Sequence, residues 1–169
     1  MTLTHTNRDY RPWLLLLSAI VILLDHLTKV WDMNHILPGH AIVIIPKVFR
    51  ITHVMNTGAA FSPMSDFASP KLMHGILVGF SVFAVVVILA LLLRIGRYLT
   101  STSIALALIL GGAIGNLYDR LHYKFVVDFL EVHIVRYHWP DFNVADSCIV
   151  IGACLLILEV FRPAPTPEA

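Results

Sequence analysis

The chain has 169 residues, 57% of them hydrophobic and only 14% charged, with a formal net charge of +1 and a mean hydropathy of +0.78. A soluble domain of this size carries far more charge, so the composition excludes one and places the chain among integral membrane proteins. A near-neutral balance without a basic run leaves no footprint for nucleic acid.

Four predominantly apolar windows lie at 12–31, 72–94, 101–121 and 143–161, each close to the roughly 20 residues that cross about 30 Å of hydrocarbon. The first follows Arg8 and Arg11 and runs into "DHLTKVW" rather than a small-x-small cleavage pattern, which predicts a retained signal-anchor helix. Within it Asp25 and Lys29 stand at i,i+4 with the acid first, a spacing for mutual neutralisation and a structural role. Next, "HAIVIIPKVFRITHV" (His40–Val54) is rich in Val, Ile, Phe and Thr and broken at Pro46, predicting a pair of short strands. The following "NTGAAFSPMSDFASP" predicts turns and one short surface helix. Gly75 and Gly79 in the second window, like Gly111 and Gly115 in the third, have the GxxxG spacing of close helix packing.

The third window ends in Asn116, Asp119 and Arg120; the last two point about 100° apart on a helix, and an anchoring, structural role is assigned to Asp119. The segment 122–140 reads as an outer loop containing "VVDF" with Asp128. "FNVADS" opens the fourth window, where Asn143 is a good N-cap and the helix dipole alone would favour Asp146. Cys148 and Cys154 are six apart, off a shared face, and are assigned to core packing rather than thiol exchange. The end, "RPAPTPEA", has a disordered composition, the tail being placed at about 163–169. The expected fold is an all-α membrane bundle of four transmembrane helices with a small outer-face β-platform over about 40–60, in a single integral membrane domain spanning 1–169.

Four spans put both termini on one side and segments 31–71 and 122–139 on the other. Arg8, Arg11, Arg94 and Arg97 assign the termini and the short second connection to the cytoplasm. Lys47, Arg50, Lys124 and Arg136 oppose this, but they sit in longer segments where the charge bias is weak. By that parity Asp25, Lys29, Asn56, Asn116, Asp119, Arg120, Asp128, Asn143 and Asp146 gather toward one membrane face. Such a gathering is better explained by a site between helices than by independent helix ends.

A zinc protease would want a motif such as HExxH; Glu131 with His133 and His138 is a poor substitute, so no metal and no cofactor are assigned. Ser62 and Ser147 have no evident base. There remain Asp128 and Asp146: two carboxyl groups brought within reach share a proton, one acting as base toward water and the other as acid toward a carbonyl. On the residues alone, aspartic peptidase chemistry stands beside a proton-coupled small membrane transporter and a structural membrane subunit. A transporter would want ionisable groups near mid-membrane and a polar path to the inner face.

"DHLTK" (Asp25–Lys29), "NTGAAFS" (Asn56–Ser62), "GGAIGNLYDR" (Gly111–Arg120), "VVDF" (Val126–Phe129) and "FNVADS" (Phe142–Ser147) together resemble the lipoprotein signal peptidase, or signal peptidase II, family from Trp13 to Arg162. His26 departs from that pattern, where Gln is more usual, and puts a local hydrogen bond in doubt. The resemblance implies a bacterial inner-membrane aspartic endopeptidase with Asp128 and Asp146 as its dyad and Asn56, Asn116, Arg120 and Asn143 lining or bracing the site, with Gly58 as a further supporting position. It implies diacylglyceryl-modified prolipoprotein substrates cut on the amino side of the lipidated cysteine, at the periplasmic face and at the depth set by the substrate's lipid anchor. With a complete site in one chain, a monomer in membrane lipid suffices.

Overall fold

The computed structural model describes residues 9–58, 69–135 and 137–162. In chain order these form α1 (Arg11–His35), β1 (Ala41–Ile45), β2 (Phe49–Asn56), α2 (Pro70–Ile95), α3 (Ser101–His122), β3 (Val126–Ile134), β4 (Tyr137–His138) and α4 (Val144–Val160). Arg8, the part of "NTGAAFS" after Gly58, most of the stretch expected to hold a surface helix, and the tail 163–169 lie outside the described residues.

Each helix begins where local chemistry starts it. Pro12 occupies the first turn of α1, a position where a missing N–H removes nothing from the ladder. The Ser69 side chain caps α2, Thr100 and Ser103 form a reciprocal capping box on α3, and Asn143 and Asp146 form another on α4. Among the described residues α1, α2 and α3 are long and apolar enough to cross a membrane. The fourth helix has 17 residues, about 25 Å at 1.5 Å per residue, somewhat less than a hydrocarbon core.

Helix α3 is central, and α1, α2 and α4 each pack against it. At one end of the bundle Leu14, Leu92, Leu106, Ala107 and Leu110 form a closed apolar cluster. Ser18 donates to the Ala107 carbonyl at 2.8 Å, joining α1 to α3 nearby. Of α2 only Leu92 is buried, and Phe80, Phe83 and Val86 stand exposed, as a helix facing lipid requires.

The glycines explain how tightly α3 is gripped. A Cβ on Gly111 would meet Val21 Cβ at 2.7 Å, one on Gly115 would meet an Asp25 carboxylate oxygen at 2.6 Å, and one on Gly112 would strike the Ala145 carbonyl. Gly75 and Gly79 are different: among the described residues nothing lies within 4 Å of a Cβ added at either. Among the described residues the spacing on α2 therefore makes no close helix contact, because none of the described helices reaches that part of α2. Cys148 is half-buried but Cys154 is exposed, so core packing does not describe Cys154.

The four strands form an antiparallel sheet in the order β1-β2-β3-β4. As the Pro46 break predicts, β1 and β2 pair across a tight turn in which Lys47 takes a φ of 65°. Where the sequence predicts a loop over 122–140, the chain instead supplies β3 and β4. Strand β3 pairs with β2 along most of its length, with Val54 opposite Asp128 and Asn56 opposite Val126. Burial of its successive residues Val126, Val127, Asp128 and Phe129 hides the alternation by which such a strand is recognised.

Candidate active site

A buried stripe on α1 begins the site. Leu14, Ser18, Val21, Asp25, Lys29 and Asp32 recur at the three- and four-residue spacing of one helix face, and its polar end points at α3 and α4. Lys29 is 1% exposed. Its ammonium donates to Asp25 at 2.7 Å and Asn116 at 3.0 Å, and lies 2.8 Å from Asp119. The three protons of the ammonium thus meet three acceptors on two helices. The i,i+4 pair read from the sequence exists, but it is one part of a larger knot.

That knot positions what surrounds it. The other oxygen of Asp25 accepts from the Ala145 backbone N–H at 2.9 Å, satisfying an otherwise unpaired donor in the first turn of α4. Asp119 accepts from the Val127 N–H at 3.2 Å, pinning β3 one residue before Asp128. Asn116 uses its carbonyl oxygen for Lys29 and its amide to donate to Asp146 Oδ1 at 2.8 Å. The buried charges of α1 and α3 therefore set the placement of both Asp128 and Asp146 through single hydrogen bonds.

Asn143 joins the two acids. Fully buried, it accepts from the Asp146 N–H at 2.8 Å through its side-chain oxygen, and its own backbone N–H donates to Asp146 Oδ2 at 3.3 Å. Its side-chain nitrogen donates to Asp128 Oδ1 at 2.7 Å and lies 3.2 Å from Asn116 Oδ1. The helix cap and the contact to Asp128 are made by opposite ends of one amide. On the far side, Asn56 at the end of β2 donates to Asp128 Oδ2 at 2.8 Å, so both oxygens of that carboxyl are held. Gly58, at a φ of 90°, donates its N–H to Asn56 Oδ1 at 2.8 Å and orients the asparagine. That φ is one a glycine adopts without strain.

Burial pushes the Asp128 carboxyl up to about 7; the Asn56 and Asn143 amides and Lys29 work against the rise, and the Asp146 charge adds to it. Arg120 donates to the Asn116 carbonyl at 3.3 Å, with its guanidinium within electrostatic reach of Asp146, Asp128 and Asp119. His26 lies edge-on to Tyr118 with ring centroids 5.3 Å apart, beside the cluster rather than in it.

The structure brings together all the residues assigned to the site from the sequence. It also adds contacts that the sequence leaves silent: the Asp25–Ala145 bond, the Asp119–Val127 bond, and an Asp32–His53 contact at 3.3 Å that ties the end of α1 to β2. Asp32 falls on the same α1 stripe as Asp25 and Lys29, and that periodicity is the signal that marks it.

Comparison with known proteins agrees with this arrangement. The family model described as Signal peptidase (SPase) II matches residues 17–162. A lipoprotein signal peptidase of Pseudomonas putida is 46% identical, covering 86% of this chain and 85% of its own length. One from Pseudomonas syringae pv. tomato is 41% identical over 99% of this chain and 95% of that protein. A solved structure described as a bacterial membrane enzyme, determined by the in meso method at 1.9 Å resolution, superposes with a TM-score of 0.83 at 27% identity, covering 95% of this chain and all of that one.

Proposed function

Because the chain belongs to the signal peptidase II family and so removes signal peptides from prolipoproteins, we propose that it does this as an aspartic endopeptidase whose dyad is Asp128 and Asp146. The observation that carries the proposal is the Asn143 bridge, which contacts both carboxyl groups through one residue. Asp128, raised to about 7, holds the proton at the start of the reaction. Asp146, oriented by Asn116 and the Asn143 backbone, takes a proton from water, and the oxygen so activated attacks the scissile carbonyl. Asp128 gives its proton to the carbonyl oxygen as the tetrahedral species forms. The proton gained by Asp146 then passes to the leaving amine while Asp128 recovers its own from the collapsing hydroxyl.

The substrate is a prolipoprotein bearing diacylglycerol on its cysteine, cut on the amino side of that residue. The chain is a bacterial membrane protein. In the proposed topology all four helices span the inner membrane, with the termini cytoplasmic and the sheet on the periplasmic side. The whole is one domain, sufficient as a monomer, with Asn56, Gly58, Asn116, Arg120 and Asn143 supporting the dyad and Asp25, Lys29 and Asp119 supporting the structure. Short reach of α4 suits this topology, since its N-terminal turn carries Asp146 to the interface, where the lipid anchor would hold the scissile bond. A proton-coupled transporter has no support in the family match.

The test is cleavage of a diacylglyceryl-modified precursor in membranes containing equal amounts of each variant. Asp128→Asn and Asp146→Asn should insert and fold, and each should lower turnover by at least about a thousandfold, within the range for removing a positioned acid or base. The double variant should be little worse than either single one, because the two act as a unit. Near-normal cleavage by either folded variant would reject the aspartic mechanism.

A further inference from the structure

Away from the paired aspartates, Arg50, Glu131, His133 and His138 meet on the sheet. Strands β3 and β4 pair with Ile134 opposite Tyr137 and His133 opposite His138. Val135, directly after β3, takes a φ of 59° in the left-handed region. Glu131 precedes His133 by two residues and so shares its face, while Asp128 falls on the other face of the strand.

We propose that Glu131, His133 and His138 form a binding site for a divalent transition-metal ion, separate from Asp128 and Asp146. His133 Nε2 lies 2.9 Å from Glu131 Oε1, and His138 Nε2 also lies 2.9 Å from that oxygen. All three ligand atoms fall within 4.8 Å of one another, with the imidazole rings nearly parallel at 16°. Ligands at about 2.1 Å from a shared zinc ion stand about 3.0 to 3.4 Å apart for bond angles between a right angle and the tetrahedral one. Admitting an ion therefore asks each imidazole to move from Glu131 by only a few tenths of an ångström.

The surroundings suit such a site. Arg50 grips the Glu131 carboxylate with two N–H groups, Nε on Oε2 and Nη2 on Oε1, fixing its orientation as an outer partner of a metal-binding carboxylate does; Oε1, which also faces both imidazoles, would keep a second lone pair for the ion. Asp141, held by the Thr52 hydroxyl at 2.9 Å and within electrostatic reach of Arg50, offsets the guanidinium charge. Glu131 is 2% exposed, whereas the side chains of His133 and His138 are 31% and 51% exposed, giving an ion a path from solvent. Two imidazoles with one carboxylate select zinc, copper or nickel over calcium or magnesium, which take oxygen ligands. The ion would staple the β3–β4 hairpin beside Arg50 of β2, three residues beyond Asp128.

The experiment is calorimetric titration of the full tag-free chain in detergent with Zn²⁺, and with Mg²⁺ for comparison, after chelator treatment. One saturable zinc equivalent is expected, with no magnesium binding. His133→Ala and His138→Ala should each weaken zinc binding by about tenfold or more, and Arg50→Lys by on the order of tenfold. Zinc should raise the melting temperature of the parent and not of the His133→Ala/His138→Ala double variant. A second measurement needs no variant: zinc should protect His133 and His138 of the parent from chemical modification, read by mass spectrometry, and leave His26 unprotected. No saturable zinc uptake, equal uptake by the double variant, or absence of protection at His133 and His138 would overturn the proposal and leave the cluster as an internal hydrogen-bond network.

Discussion

Replacement of Lys29 by methionine keeps most of the side-chain volume and removes the one cation that Asp25, Asn116 and Asp119 share. At 1% exposure neither water nor a rotamer change can replace it. Three charge-assisted hydrogen bonds at about 1.5–3 kcal/mol each would give an upper bound near 9 kcal/mol. They share one donor and do not add, so the loss expected for stripping a buried ion cluster of one partner, about 3–5 kcal/mol, is the better figure. At about 2–4 °C per kcal/mol for a chain of this length, the melting temperature should fall by roughly 6–20 °C. The assay is thermal unfolding of purified variants in one detergent. Because Lys29 serves two carboxylates, Lys29→Met combined with Asp119→Asn should recover part of the fall: the amide oxygen can still accept from Val127, and one stranded charge is gone. A Lys29→Met protein melting within about 2 °C of the parent would refute the neutralising role. A double variant no better than the single would place the loss in packing of the lysine stem instead.

Asn143→Ser should keep the α4 cap and the fold yet lose cleavage, because the hydroxyl can accept from Asp146 N–H but cannot reach Asp128; near-normal turnover in the precursor assay would count against the bridge. The pH profile of kcat/KM should fall above about pH 7 as Asp128 loses the proton it donates. Stability should also respond: since folding raises this carboxyl from its ordinary 3.8 to about 7, the folded state binds more protons, and the contribution complete below pH 4 is lost as pH rises through 7. Asp128→Asn should flatten that slope in melting curves, and an unchanged slope would show that another group titrates. Gly112→Ala should disrupt assembly by pressing on the Ala145 carbonyl, whereas Gly79→Ala should be tolerated or slightly stabilising, as yields and melting temperatures would show. Cleavage should persist in excess chelator, for Asp128 and Asp146 are held by amides rather than by histidine or cysteine; loss of activity restored by zinc would contradict this.

Much of the molecule is legible in local patterns. Apolar runs define the helices because a span in hydrocarbon must satisfy its own backbone over a set length, and Asn143 announces the start of α4 because a cap acts across three residues. The break at Pro46 is equally local. The stripe Asp25, Lys29, Asp32 is visible as a periodicity, although its partners are not. What the sequence could not decide depends on which surfaces meet. Within 122–140, Val126–Ile134 becomes strand because β2 is there to pair with it, and burial on both faces at its start erases the alternation that would have announced it. GxxxG spacing is the same on α2 and α3, yet among the described residues α3 has close neighbours on that side and α2 has none, so it is on α3 that the missing Cβ matters. Asp25 is an intrahelical ion-pair partner by spacing and a cap for a helix 120 residues away by geometry. Spacing along a chain specifies what a residue's own element can reach, and only packing brings the Lys29 ammonium, the Asn143 amide and the two carboxyl groups into one network.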